Sequence, residues 1–264
     1  MEQILSKLKE LTGKEFIQLA ERGNKAIQIA LDLAKQLEKT TVLIPDQGGW
    51  LTFKKYPKKF NLEIKEIKTK QGLLDLEDLE KNASQESVLL TTSMPGYFAA
   101  EENLQKIQEI CTKKGCLFIN DISGSIGTDF AKYGDLILAS FGKWKPINLE
   151  YGGFIATNNN EFYTNFDASY FEEKKYEELI KLLEELPERL KKFQEIRKQI
   201  IEELESFKII HKDKQGINVI VKFDDDEAKQ RVISYCKDNK LEYTECPRYI
   251  RVNENAISIE VKRL

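Results

Sequence analysis

Apolar residues recur with helical spacing over residues 2–12, 24–38 and 101–113. Short apolar runs stand between and after them, at Thr41–Ile44, Leu62–Ile67, Ser87–Thr91, Leu117–Asn120, Asp135–Ser140 and Phe154–Thr157. These read as strands. Strands that alternate with helices predict βαβ units and a mostly parallel sheet. The runs show little polar alternation, as expected of strands covered on both faces. The expectation is an α/β fold of three layers.

The pattern changes near residue 172. Residues 172–206 are one long charged helical stretch in which Pro187 is expected to break or kink the helix. From Phe207 the chain reads strand, strand, helix, strand, strand, strand: FKIIHK, INVIVKF, a helix at 226–238, LEYTE, YIRV and ISIEVK. This predicts a large domain at 1–171, a connecting helix at 172–206 and a small C-terminal α+β domain at 207–264.

Charge removes one class of function. With 41 Lys+Arg against 44 Asp+Glu in 264 residues, the net charge is −3, so bulk positive charge does not drive the chain to nucleic acid. No apolar run approaches the roughly 20 residues of a membrane helix. The first residues, MEQILSKLKELTGKEF, are amphipathic and carry acids, unlike a secretory signal. The expected setting is cytoplasmic, with neither membrane nor nucleic acid as partner. Cys111 and Cys116 have C-x4-C spacing, but there is no second close pair and His211 is the single histidine. Ordinary core thiols are expected, and no metal site.

Three segments fall in loops at strand or helix ends, where ligands of open α/β sheets gather. Asp121 in LFINDISGSIG ends an apolar strand. It reads equally as a turn acid and as a functional carboxylate. In DLILASFGKWKPINLEYGGFIAT a strand ends at Ser140, and Lys143 and Lys145 follow before Gly152-Gly153. A lysine there is either a solvated surface group or one able to tether a carbonyl cofactor as a Schiff base. In ERGNKAIQIALDLA, Gly23 and Asn24 open a helix whose free N–H groups serve either as a plain start or as an anion site.

Taken in order, these segments resemble the DegT/StrS sugar-aminotransferase family of fold-type I pyridoxal-phosphate (PLP) enzymes, over about residues 10–160. Gly23-Asn24-Lys25-Ala26-Ile27-Gln28-Ile29-Ala30-Leu31 is similar to its G-T-S-A-L-x-L-A-L segment, and Ile44-Pro45 to its V-P strand end. Asn120 to Gly127 resembles E-D-A-A-Q-A-H-G, and Ser140-Phe141-Gly142-Lys143-Trp144-Lys145 with Gly152-Gly153 resembles S-F-x-x-x-K-N-L-x-x-G-x-G-G. The resemblance implies that Lys145 forms the Schiff base, with Lys143 as the competing lysine. It implies that Asp121 pairs with the pyridine nitrogen and that Gly23, Asn24, Lys25 and Ser140 hold the phosphate. Trp50 is the candidate for stacking on the ring, although strict register falls on Gly49.

The implied activity is amino transfer between a small-molecule amino donor and a keto acceptor, in a homodimer. The amphipathic first helix (Ile4, Leu5, Leu8, Leu11) needs an apolar partner, in the large domain or a second subunit. Arg248 and Arg251 in ECPRYIRV are the candidate cations for a substrate carboxylate. Spaced three apart on a strand they would face opposite ways, so at most one would reach it. The family's Gln is Gly124 here, and its histidine in that segment is missing. Two other readings therefore stand beside amino transfer. One is a PLP-dependent lyase or desulfurase using Cys246 as sulfur acceptor. The other is a catalytically degenerate binding or regulatory protein.

Overall fold

The computed structural model describes residues 1–264. The elements run α1 (Glu2–Thr12), β1 (Phe16–Ala20), α2 (Gly23–Gln36), β2 (Thr41–Pro45), β3 (Glu63–Ile67), a small hairpin of β4 (Thr69–Lys70) and β5 (Leu73–Leu74), and α3 (Leu76–Asn82). They continue with β6 (Ser87–Thr92), α4 (Leu104–Lys114), β7 (Leu117–Asp121), β8 (Leu136–Ser140), β9 (Gly153–Thr157), α5 (Asn160–Thr164) and α6 (Tyr176–Glu203). The C-terminal part adds β10 (Ile209–Ile210), β11 (Val219–Lys222), α7 (Asp226–Asp238), β12 (Tyr243–Cys246) and β13 (Ala256–Ile259).

Seven strands form one sheet in the order β1-β9-β8-β7-β6-β2-β3. The pairs from β8 through β3 are parallel, and β9 is antiparallel to both its neighbours. The sheet is covered on both faces, as the apolar strands require. Val42, Ile44, Val88, Leu90, Ile119 and Leu138 face α2, which supplies Ile27, Leu31 and Ala34. The opposite face packs on α3 and α4 at one end of the sheet and on α1 and α6 at the other. Cys111 and Cys116 are buried in the α3–α4 core.

Strand β1 has no counterpart among the expected elements. FIQLA is short and interrupted by Gln18, and it forms only because β9 offers it a full antiparallel register. It carries the chain to the start of α2. The amphipathic α1 finds its partner within the chain: Ile4 and Leu8 are fully buried in the core that α6 also enters.

Two expectations fail here. Pro187 does not break α6, which runs unbroken from Tyr176 to Glu203 with Pro187 on its exposed side. Packing of Leu183, Leu186, Leu190 and Phe193 into the core compensates for the lost hydrogen bond. The second concerns YIRV, which is a turn and not a strand. After the cis Cys246–Pro247 bond the chain folds back, Arg251 N–H to the Arg248 carbonyl and Arg248 N–H to the Val252 carbonyl, both 2.8 Å. The small sheet accordingly has four strands, β10-β11-β13-β12, all antiparallel.

Candidate active site

Parallel strands bring their C-terminal ends to one edge, and the reversed β9 starts at that same edge. Asp121 ends β7, Ser140 ends β8, and Ser140 pairs with Gly153 at the start of β9. The start of α2 is drawn to the same place by a Gly152 N–H to Glu21 carbonyl bond of 3.0 Å. The result is a cavity of about 320 Å³ lined by Gly23, Asn24, Trp50, Asp121, Ser140 and Lys145, among others. Six of the expected residues thus meet in one place.

The wall at the helix start is built by close approach. A Cβ on Gly23 would stand 2.4 Å from Cβ of Ser140, and one on Gly153 would stand 2.9 Å from the Gly23 nitrogen. No side chain caps α2. Its first turn presents backbone N–H groups and the positive end of the helix dipole toward Ser140. Ser140 is tied on both sides: its N–H donates to Ser123 Oγ at 2.8 Å, and its Oγ accepts the Gly142 N–H at 3.1 Å.

Asp121 is buried, and Oδ1 accepts the Ser123 N–H at 2.9 Å. Burial raises its carboxyl above the usual range. The Ser123 hydrogen bonds and the charge of Lys145 oppose that rise without cancelling it. An opposite charge brought into the cavity would favour the ionised form.

Lys145 enters the cavity between two aromatic rings, its amine 5.0 Å from the Trp50 ring centre and 4.7 Å from that of Tyr97. The amine is hydrogen-bonded to the Tyr97 hydroxyl. Lys143 is exposed, lies outside the cavity and rests against the Trp144 ring at 4.9 Å. Trp50 is held by its indole N–H, which donates to Asn24 Oδ1 at 3.1 Å.

Three expected residues are placed otherwise. Lys25 does not line the cavity: its N–H is spent on the Arg22 carbonyl at 3.0 Å, and its amine pairs with Asp167 at 2.9 Å. Arg248 is exposed on the turn. Arg251 is buried beside a recess that also touches Asp121, Ser123 and Tyr97, but its charge is taken. Its Nε and Nη2 donate to the two oxygens of Glu260 at 2.8 and 2.7 Å. Neither arginine is a free cation on a strand. Cys246 is a buried end-of-strand residue packed with Phe98, Ile220 and Val252, and burial pushes its thiol up. The single histidine, His211, stacks on Phe98 away from the cavity.

Tyr97 is a cavity residue that the sequence analysis did not single out. It follows Pro95-Gly96, a turn pair immediately after β6, so the signal was a turn at the end of a parallel strand. A wider surface depression of about 1010 Å³ lies at the opposite ends of the strands, beside Lys14, Lys39, Cys111 and Cys116. Both lysines there are committed to backbone carbonyls, Lys14 to Gly134 at 2.7 Å and Lys39 to Gly115 at 2.9 Å.

Residues 2–170 match the DegT/DnrJ/EryC1/StrS aminotransferase family, and residues 165–264 match the MJ1341 family C-terminal domain. A search of curated proteins gives no match. Among solved structures, the chain is similar to a Helicobacter pylori aminotransferase involved in the biosynthesis of pseudoaminic acid. The TM-score is 0.77 at 13% identity, over 97% of this chain and 84% of that one. It is similar to the E coli GDP-4-keto-6-deoxy-D-mannose-3-dehydratase with bound hydrated PLP, with TM-score 0.76 at 13% identity over 98% and 86%. It is also similar to 3-amino-5-hydroxybenzoic acid synthase, with TM-score 0.74 at 13% identity over 99% and 86%. At such identity the likeness is one of fold: the expected three-layer large domain with a small α+β domain.

Proposed function

We propose that this chain, which belongs to the DegT/DnrJ/EryC1/StrS aminotransferase family, is a PLP-dependent aminotransferase-like enzyme acting on a small amino donor and a keto acceptor. One observation carries the reading. An uncapped helix start, a buried acid and a lysine amine, from three separate segments, line one cavity.

The residues fit the cofactor on the structure's own terms. Glycine at position 23 leaves a cradle that a Cβ would fill, and the buried Asp121 carboxyl has a cavity on one side and Ser123 on the other. Gly23, Asn24 and Ser140 would hold the phosphate. Asp121 would hold the proton on the ring nitrogen, each charge favouring the other in a buried setting. Trp50 would flank the ring, and Lys145 would be the tethering amine. Bound there, PLP supplies an electron sink for charge developing at the substrate Cα. As a free amine, Lys145 would take the proton from Cα of the amino donor and, in the return half-reaction, deliver one to the former keto carbon of the acceptor. Trp50 and Tyr97 would shield it from water.

Amino transfer is favoured over sulfur transfer because Cys246 points into a core, away from the cavity. A homodimer remains part of the proposal. Trp50 and Leu51 are 36% and 47% exposed beside the cavity, an apolar surface that a second copy would cover. Sedimentation of the loaded protein as a monomer would remove that part.

The test is reconstitution. Protein incubated with PLP and freed of excess should keep a visible absorption band, which an amino acid from a donor panel should bleach. A reconstituted protein with no visible band would overturn the reading.

A further inference from the structure

We propose that Tyr97 is the positioning residue for Lys145, its phenol setting where the amine sits and how available it is. The inference rests on the reading of Lys145 as the site's reactive amine. Its starting point is backbone conformation. Gly96 and Tyr97 are consecutive left-handed residues, φ +56° and +68°. A tyrosine seldom adopts that conformation, and it persists only where the surroundings enforce it.

The surroundings here are the small domain and the acid loop. The Tyr97 carbonyl accepts the Ile217 N–H at 2.8 Å, and the Gly96 carbonyl accepts from Asn218 Nδ2 at 3.3 Å. The ring lies against Gly124, where a Cβ would stand 2.9 Å from Cδ1 and 3.1 Å from Cε1. Any side chain at position 124 would push the ring aside. Behind the ring, the Lys262 amine stands 4.7 Å and the Arg251 guanidinium carbon 5.5 Å from its centre. These contacts hold the ring where it stands. The hydroxyl at its end meets the Lys145 amine.

The consequence for Lys145 has the same sign in either protonation state. If the phenol accepts from the ammonium, that bond must be given up before the nitrogen can react. If it donates to the neutral amine, it occupies the lone pair. Both lower the nucleophilicity of free Lys145. A hydrogen bond of ordinary net strength corresponds to about threefold to tenfold in such a property.

The test uses the full chain without added cofactor. Trace acetylation with acetic anhydride at mildly alkaline pH, followed by peptide mapping, gives the labelling of Lys145 relative to exposed Lys143. Tyr97→Phe should raise that ratio by about threefold or more, with an unchanged far-ultraviolet circular dichroism spectrum. A ratio equal to wild type in folded Tyr97→Phe overturns the proposal. Should that variant fail to fold, Gly124→Ala displaces the ring without touching the phenol, and the same criterion applies. The readout is independent of PLP. Absence of a visible band in reconstituted wild type would sink the function proposed above and leave the Tyr97–Lys145 comparison standing.

Discussion

Gly23 and Ser140 meet with no room for a side chain between them: a methyl on Gly23 would lie 2.4 Å from Cβ and 2.9 Å from Oγ of Ser140. The start of α2 and the end of β8 are thereby brought together around one anion-receptive corner. Gly23→Ala forces them apart. The expected outcome is a loss of about 1–3 kcal/mol of stability from overpacking, and weaker PLP binding by about tenfold or more. Thermal melting and titration with PLP, followed by quenching of tryptophan fluorescence, measure the two effects separately. Retention of full PLP affinity would remove the phosphate role of this corner.

Asp121→Asn should retain PLP and lose most turnover. The amide keeps the shape of the carboxyl and the bond from the Ser123 N–H, but it offers no charge to hold a proton on the ring nitrogen. Because burial already raises the Asp121 carboxyl, the substitution should cost little stability and can even increase it. Single-turnover absorbance with an amino donor is the measurement. Turnover at the wild-type rate would exclude the ring-nitrogen role.

The parts of this site that were legible in the sequence are those set by strand ends. Asp121 and Ser140 each close an apolar run, and Lys145 follows at a fixed distance along a Pro-stiffened loop, so order along the chain carried over into space. The parts that were not legible depend on contacts distant in sequence. FIQLA becomes a strand only beside β9. Pro95-Gly96 announces a turn, but Tyr97 reaches the cavity because Gly124 and Ile217, distant in sequence, hold its left-handed conformation. Arg251 looked like a free cation because Glu260, nine residues away and on another strand-end loop, is its partner. Pro187 looked like a helix end because its local cost is visible and the packing of its neighbours is not.

The C-terminal charge cluster gives a pH prediction. Burial raises the Glu260 carboxyl, but Arg251, Lys262 and Arg263 more than offset this and hold it at about 2, against an ordinary 4.5. A depressed carboxyl contributes stability that is present above the unfolded value and lost as pH falls toward the folded one. Unfolding free energy should therefore drop between about pH 4.5 and about pH 2, and Glu260→Gln should flatten that drop. The same substitution leaves Arg251 and Lys262 buried with no counter-charge, so it should cost about 3–5 kcal/mol near neutral pH. Chemical denaturation across pH for both proteins checks both statements.

Leu8, fully buried where α1 meets the α6 core, provides a test of how the first helix is used. Leu8→Ala should lower stability by about 2–5 kcal/mol, read by denaturant unfolding. Its sedimentation should match wild type, because the apolar face of α1 is satisfied within the chain.

The most direct test of the central claim is covalent. Lys145 lines the cavity and Lys143 stands outside it, two residues away. Borohydride reduction of the PLP-loaded protein should fix the cofactor to one peptide, and fragmentation of that peptide should place the mass on Lys145. Lys145→Ala should leave the circular dichroism spectrum intact and take no label. Label on Lys143, or no label on any cavity residue, would contradict the account.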